Sequence, residues 1–65
     1  MGERITEALR KNGMNIRELA DMTGISEVSL CRIINGKQEP KVSVAFRIAL
    51  ALHVSLDYLI GVESE

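Results

Sequence analysis

Four of the eight Lys and Arg side chains lie in or just after one segment in the middle of this sequence, residues 15–36. They are Arg17, Arg32, Lys37 and Lys41. Lysine and arginine bind phosphate groups, and an arginine guanidinium can also donate two hydrogen bonds to the O6 and N7 atoms of guanine. These side chains could therefore bind a nucleic acid. Because charged side chains are ordinarily exposed, a solvated surface without a ligand is the alternative interpretation.

The charge of the sequence is unevenly distributed. Its net charge is −1 at pH 7, which is not typical of a protein that binds DNA. Residues 1–47, however, contain all eight Lys and Arg residues against six of the nine acidic residues, a local charge of +2. Since the distribution of charge matters more for binding than its total, the sequence is compatible with a modestly positive face.

The sequence has no pattern of residues that indicates catalysis. We find no paired carboxylates, no Cys–His or Ser–His–Asp arrangement and no glycine-rich phosphate loop. The single cysteine, Cys31, and the single histidine, His53, provide no cluster of metal ligands. We therefore expect a protein that is not an enzyme and that has no cofactor, bound metal or small-molecule ligand.

Length and composition favour a small helical protein. The 65 residues are 46% hydrophobic but include one Phe, one Tyr and no Trp, so Ile, Leu, Val and Ala must form the core, as in packed helices. We expect one all-α domain spanning residues 1–65. No apolar run approaches the roughly 18 residues of a membrane span, and the N-terminus has no signal-peptide pattern. The expected location is the cytoplasm, and a lone cysteine agrees with a reducing compartment.

Helix-capping residues predict two short helices around a turn. Asn15 caps the first helix, and Ser26 caps the second, which ends at Asn35–Gly36. Between them, Gly24 permits positive φ and a close approach of the two helices. The pattern predicts a helix-turn-helix over residues 15–36, with its second helix projecting outward. Because the DNA major groove accommodates a projecting helix, sequence-specific DNA binding is the leading functional hypothesis.

Three further helices are predicted, one before this segment and two after it. They run from about Glu3 to Lys11, from about Val42 to Leu52 and from Leu56 to Ile60, the last with Ser55 as its cap. The side chains expected to face the core are Ile5, Ala8, Leu9, Ala45, Ile48, Ala49 and Leu52. His53 follows the fourth helix, where a left-handed backbone conformation is common, and we expect it to have positive φ.

Some apolar side chains are expected on the surface. Leu50 lies on the outer side of the fourth helix, and the other members of the expected exposed group are Ile34, Val44, Tyr58 and Val62. A self-association surface that includes Leu50, Tyr58 and Val62 is one interpretation, because a twofold DNA-binding protein requires such a surface. The alternative is a set of scattered apolar side chains, which are common on protein surfaces.

Three segments of the sequence resemble those of a known family. The segments are NIRELADMTGIS, LCRIINGKQEP and IALALHVSLDYLIG. In this order and spacing they resemble the Cro and lambda-repressor-like helix-turn-helix family, also called the XRE family, over about Ile5 to Gly61. The resemblance implies a compact five-helix bundle that binds a palindromic operator in double-stranded DNA as a homodimer and usually represses transcription.

The resemblance also implies roles for particular side chains. The positions that read base edges in the family correspond here to Glu27, Val28, Cys31 and Arg32. Asn35 and Lys37 correspond to phosphate-binding positions of the family, and the alternative for Asn35 is a role as a helix cap only. From their own chemistry we also assign Arg17, Ser29 and Lys41 to DNA phosphates, with a base contact as the alternative for Ser29. Leu30 and Ile33, on the same helix, are expected to face the core.

Two residues depart from the family pattern. Ile16 stands where the family commonly has a glutamine that binds phosphate, and Glu27 places a carboxylate beside DNA phosphates, although it could accept a hydrogen bond from cytosine N4. Both changes would weaken DNA binding. A second functional hypothesis is therefore a protein-interaction module of the same fold, antitoxin-like or an accessory regulator, with weak affinity for DNA.

Overall fold

A computed structural model describes residues 1–61, which form five α-helices and contain no strand. The helices are α1 (Gly2–Lys11), α2 (Ile16–Thr23), α3 (Glu27–Ile34), α4 (Val42–Leu52) and α5 (Leu56–Ile60). The expected all-α, five-helix fold is confirmed. The limits of α4 and α5 are those expected from the sequence, and α1 begins one residue earlier than expected. None of these helices is long and apolar enough to cross a membrane.

Side-chain caps fix where the helices begin. At α2, the Asn15 side chain accepts a hydrogen bond from the Glu18 amide (2.8 Å), and the Glu18 carboxylate accepts one from the Asn15 amide (3.0 Å). The Ser26 hydroxyl accepts from the backbone amide at the third residue of α3 (3.1 Å), and the Ser55 hydroxyl accepts from the amide of Tyr58 in α5 (3.0 Å). Each cap satisfies an amide that has no partner within its helix, which confirms all three expected starts.

The turn between α2 and α3 depends on Gly24. This residue has φ 74° and donates its amide to the Ala20 carbonyl (2.9 Å), which ends α2. The neighbouring Thr23 hydroxyl donates to the Leu19 carbonyl (2.7 Å) and accepts from the Ile25 amide (3.3 Å). Because glycine adopts positive φ without the steric cost of a Cβ, the chain can reverse sharply here and bring α3 against α2.

All five helices contribute to a single cluster of buried aliphatic side chains. The fully buried members are Ile5, Leu19, Leu30, Ile48, Leu52 and Leu59. In this arrangement α2 packs on α3 and α4, while α1 packs on α3, α4 and α5. The side chains expected to face the core, including Leu30 and Ile33, are all buried.

Polar contacts join α1 to the ends of α4 and α5. The Arg4 guanidinium in α1 lies 4.8 Å from the centroid of the Tyr58 ring and donates to the Tyr58 carbonyl oxygen at 3.1 Å. The Asn12 side chain, at the end of α1, donates to the carbonyl oxygen of Leu52 at 3.0 Å. These bonds fix α1 against the ends of α4 and α5, and the Asn12 bond satisfies a carbonyl at the end of α4 that lacks a helical partner.

The residue after α4 has the conformation that the sequence predicted. His53 has φ 59° and ψ 39°, and it is the non-glycine residue with positive φ among residues 1–61. Its amide donates to the Leu50 carbonyl (3.3 Å), and the Val54 amide donates to the Ala49 carbonyl (3.1 Å). This pair of bonds is a Schellman motif, which turns the chain from α4 into α5.

The first turn of α1 lies against the last turn of α3. Gly2 approaches the backbone of Ile34 so closely that a Cβ at position 2 would overlap the Ile34 carbonyl oxygen. The positive end of one helix thus meets the negative end of another, which is a favourable arrangement of helix dipoles.

Further along α1, a hydrogen bond from Arg10 lowers the pKa of the Glu7 carboxyl, but both side chains are in contact with solvent and stabilise the fold little.

Candidate nucleic-acid interface

One open groove of about 510 Å³ follows the outer face of α3. Its lining residues are Glu27, Val28, Cys31, Arg32, Asn35 and Lys37. The structure therefore brings together the four residues expected to read bases and two of the five expected to bind phosphate. All six side chains are exposed.

Helical periodicity explains why these side chains share a face. Leu30 and Ile33 are buried against the other helices, so the positions on the opposite side of α3 point outward. Residues spaced by three or four positions lie one above another on a helix, as Val28, Cys31 and Arg32 do here. The rigid packing of Leu30 and Ile33 thus determines the direction of the whole exposed face.

The end of α3 fixes the last two residues of the groove. The Gly36 amide donates to the Ile33 carbonyl (3.1 Å), and the Lys37 amide donates to the Arg32 carbonyl (2.8 Å). Together these bonds form a Schellman motif, with Gly36 at φ 74°. Asn35 is the last residue before this turn, and Lys37 follows it, so both are held at the end of the groove by backbone hydrogen bonds.

The charge of the groove is mixed, with a small positive excess. Glu27 is negative, while Arg32 and Lys37 are positive, which gives a net charge of +1. None of the three takes part in an ion pair within residues 1–61, so their charged groups are available to a ligand. Glu27 is the first residue of α3, where its carboxylate interacts favourably with the dipole of its own helix.

The remaining three residues assigned to phosphates lie outside the groove. Arg17 is exposed in the first turn of α2, and Lys41 is exposed directly before α4. Ser29 is half-buried within α3, between the outer face and the core, and its amide is bonded to the Ser26 cap. Arg17 and Lys41 thus offer cations at two other helix starts, whereas Ser29 is less accessible than its expected contact with DNA requires.

The exposed apolar group differs from the one expected. Leu50 is exposed, but Ile34, Val44 and Tyr58 are half-buried and pack against the core, and Val62 lies outside the described residues. The expectation that Ile34, Val44 and Tyr58 are exposed was therefore wrong. Val44 is one helical turn before buried Ile48 and shares its face, and the Arg4 side chain covers the Tyr58 ring. Leu50 and Tyr58 also line different concavities.

The sequence analysis missed several exposed apolar side chains, three of which lie on α2 and α4. Val42 and Phe46 in α4 and Met22 in α2 are all exposed. The first two precede Leu50 at intervals of four residues, and this spacing is a signal that the sequence contains. Met22 lines the same concavity as Leu50 and Arg47.

A metal site is not formed by the part of the chain that the structure describes. Among residues 1–61, no three His, Cys, Asp or Glu side chains are close enough to hold an ion. The thiol of Cys31 is free and exposed in the groove.

Comparisons with known proteins agree with this architecture. A family model described as "Helix-turn-helix" (HTH_3) matches residues 5–59. The chain is 40% identical over 60 residues to the SPbeta prophage-derived uncharacterized HTH-type transcriptional regulator YopO of Bacillus subtilis (strain 168), covering 92% of this chain and 86% of that protein. It also resembles the crystal structure of an HTH_3 family transcriptional regulator from Vibrio cholerae, with a TM-score of 0.82, 21% identity and coverage of 95% of this chain but 35% of the other.

The capped helices α2 and α3, joined at Gly24, define a helix-turn-helix protein. With the family model matching most of its length, the chain belongs to the HTH_3 helix-turn-helix family, of the XRE type, whose members are transcriptional regulators with a DNA-binding domain. The resemblance seen in the sequence is thereby confirmed.

Proposed function

We propose that this chain is a sequence-specific DNA-binding regulator of transcription, a cytoplasmic homodimeric repressor that acts at a palindromic operator. The observation that carries the proposal is the groove on α3. Six side chains that could contact bases and phosphates lie along one exposed face of a helix held rigidly by the core. A helix of this kind fits the major groove of B-DNA, where each base pair presents a distinct pattern of donors and acceptors.

In the proposed complex, α3 enters the major groove with its first turns toward the bases. Arg32 donates two hydrogen bonds to a guanine, and Glu27 accepts one from the N4 amine of a cytosine. Val28 and Cys31 offer apolar contact to a thymine methyl group. Lys37 and Asn35 contact phosphates at the other end of the groove.

Phosphate contacts around the recognition helix would set its position on the duplex. Arg17 at the start of α2 and Lys41 before α4 supply cations beside α3. Such contacts orient a protein on DNA without reading its sequence. Ser29 is proposed to add a weaker contact, since it is half-buried.

The decisive experiment is selection of bound sites from a random DNA pool, followed by binding measurements on two variants. Arg32→Ala is expected to cost about 1–3 kcal/mol at one guanine and to remove the preference there. Lys37→Ala is expected to weaken binding to all duplexes similarly and to reduce the salt slope of log K by about 0.9.

Lys11→Ala is the matched control, because Lys11 is an exposed cation on α1 outside the groove. It should alter neither the preferred sequence nor the salt slope. If Arg32→Ala leaves the selected sequence unchanged, the base-reading assignment is wrong.

The alternative function is a protein-interaction module of the same fold. The exposed apolar side chains Val42, Phe46 and Leu50, together with the carboxylate of Glu27 in the groove, favour this alternative. It predicts that the wild-type protein binds duplex DNA weakly and independently of salt, or does not bind it at low salt. Gel shift of the wild-type protein on random duplex, with a salt titration, distinguishes the two functions.

A further inference from the structure

The contact between the start of α1 and the end of α3 joins backbone to backbone. Gly2 is the first residue of α1, and it lies beside Ile34, the last residue of α3. A Cβ at position 2 would overlap the carbonyl oxygen and carbonyl carbon of Ile34 and would lie 3.1 Å from its Cα. Because all three atoms belong to the backbone, no change of rotamer can make room for a larger residue.

The conformation of α1 does not itself require glycine at position 2. Gly2 belongs to the helix and, unlike Gly13, Gly24, Gly36 and Gly61, it does not have positive φ. Alanine is ordinarily the better residue in a helix. The close approach to Ile34 is therefore the feature of the fold that requires a residue without a Cβ here.

The first turn of α1 is held in place by contacts that do not involve α3. The Thr6 hydroxyl donates to the Gly2 carbonyl at 3.0 Å, and the Arg4 guanidinium donates to the carbonyl of Tyr58 in α5 at 3.1 Å. Ile5 is fully buried in the core. Gly2 is thus fixed with respect to the core and α5, and it limits how closely the end of α3 can approach α1.

The end of α3 carries the groove residues that are proposed to contact guanine and phosphate. The Arg32 carbonyl, two residues before Ile34, accepts a hydrogen bond from the Lys37 amide (2.8 Å), and Asn35 directly follows Ile34. A displacement of the Ile34 backbone therefore reaches all three groove residues. Hydrogen bonds weaken steeply away from their preferred distance and angle, so a displacement on the order of 1 Å is enough to lose one.

We propose that Gly2 is a positioning residue for DNA recognition: its contact with the Ile34 backbone sets where the end of α3 lies and thereby aligns Arg32 with its base. The inference rests on the proposed DNA-binding function. Gly2 is outside the α3 groove and has no side chain to contact a base. A Cβ at position 2 moves the end of α3 away from α1, so base recognition suffers while the cations of the groove remain available to phosphates.

The test compares Gly2→Ala with Gly13→Ala. Gly13 has φ 63°, and no atom lies within 4 Å of a Cβ placed there, so alanine at position 13 strains the backbone without contacting α3. Both variants are expected to unfold more easily than the wild type. Gly2→Ala alone is expected to displace α3.

Affinity is measured on a duplex selected by the wild-type protein and on a random duplex. Gly2→Ala should bind the selected duplex about tenfold more weakly, as expected when one contact between arginine and guanine is disturbed, and should keep the wild-type affinity for the random duplex. Gly13→Ala should keep the wild-type ratio of the two affinities. A destabilised protein with an undisplaced α3 loses the same factor on both duplexes, because only its folded fraction binds. An equal loss on both duplexes in Gly2→Ala, or no loss on either, overturns the inference.

A second variant weakens the same contact without adding an atom beside α3. Thr6→Val removes the hydrogen bond to the Gly2 carbonyl and keeps the size of an exposed side chain. It should reduce the preference for the selected duplex about two- to threefold. If circular dichroism shows that Gly2→Ala is unfolded, a reduced preference in Thr6→Val supports the inference and an unchanged preference overturns it.

NMR of the free protein separates failure of this inference from failure of the proposed function. The amide signals of Arg32, Asn35 and Lys37 should shift in Gly2→Ala and stay unchanged in Gly13→Ala. If the wild type binds no duplex, the proposed function is wrong, but these shifts would still support the role of Gly2 in placing the end of α3. Unchanged amide signals in Gly2→Ala would overturn the inference even where the wild type binds DNA selectively.

Discussion

Glu27 has two opposing effects at the start of α3. Its carboxylate is stabilised by the positive end of the helix dipole, since Glu27 is the first residue of the helix. The same charge reduces the positive potential of a groove whose cations are Arg32 and Lys37. A carboxylate that stabilises its own helix but repels the phosphate backbone can favour DNA binding only by recognising a base.

Replacing Glu27 with Gln tests this balance. Glu27→Gln removes one negative charge from the groove, so affinity for random duplex should increase at low salt. An amide pairs with adenine rather than with the cytosine amine, so one position of the preferred site should change from cytosine toward adenine. Selection from a random pool measures the preference, and gel shift measures the affinity.

Glu3→Gln is the control for this substitution. Glu3 is an exposed acid in the first turn of α1, so it shares the charge and the helix position of Glu27 but lies outside the groove. It should leave the preferred sequence unchanged. The same site preference for wild type and Glu27→Gln would mean that Glu27 does not contact a base.

The residues of the groove were predictable from the sequence, whereas the exposure of Met22 was not. Periodicity alone places Leu30 and Ile33 inward, and the outward residues of α3 follow from that assignment. The four-residue spacing of Val42, Phe46 and Leu50 is a signal in the sequence, whereas no pattern of residues marks Met22 as exposed. The exposure of Met22 depends on how α2 and α4 pack together, which is a property of the tertiary structure.

At the scale of the helices, the boundaries were encoded locally. Asn15, Ser26 and Ser55 each accept a hydrogen bond from an amide three residues later, so the sequence of a single turn determines each start. The packing of helices on one another involves distant residues. The contact of Gly2 with the backbone of Ile34 has no signal in the sequence around either residue.

The left-handed residue after α4 gives a prediction about stability. His53→Gly should increase the free energy of unfolding by about 0.5–1 kcal/mol, because glycine removes the cost of positive φ but has more conformational freedom in the unfolded chain. Urea denaturation followed by far-UV circular dichroism measures the change. His53→Ala keeps the Cβ and serves as the control.

A glycine variant no more stable than the alanine variant would show that His53 is not strained. The comparison is clean because His53 is exposed and its backbone, rather than its side chain, makes the hydrogen bond that ends α4.

The dimensions of the whole molecule set the amount of DNA that one copy can cover. Its longest extent is 33 Å, and its other extents are 24 Å and 19 Å. One helical turn of B-DNA is about 34–36 Å, so one copy can occupy the major groove once but cannot present α3 to two successive turns. Recognition of a longer site requires a second copy.

Half-site spacing should therefore control the cooperativity of binding. We expect two inverted half-sites whose centres are about one helical turn apart. Inserting about five base pairs between them rotates the second half-site to the opposite side of the duplex, so cooperativity should disappear while affinity for each half-site stays unchanged. Quantitative footprinting on the two duplexes measures both quantities.

Substituting the spacer bases without changing their number is the control, and it should preserve the cooperativity. If cooperativity persists after the half-turn insertion, the two copies do not meet through a fixed contact.

The thiol of Cys31 allows the α3 groove to be labelled chemically. Cys31 is the one cysteine of the sequence, and its side chain is exposed between the residues assigned to base reading. A maleimide fluorophore can therefore be attached at one known position without mutating the protein. Alkylation kinetics with and without duplex would report occupancy of the groove directly, because DNA bound to α3 would cover this thiol.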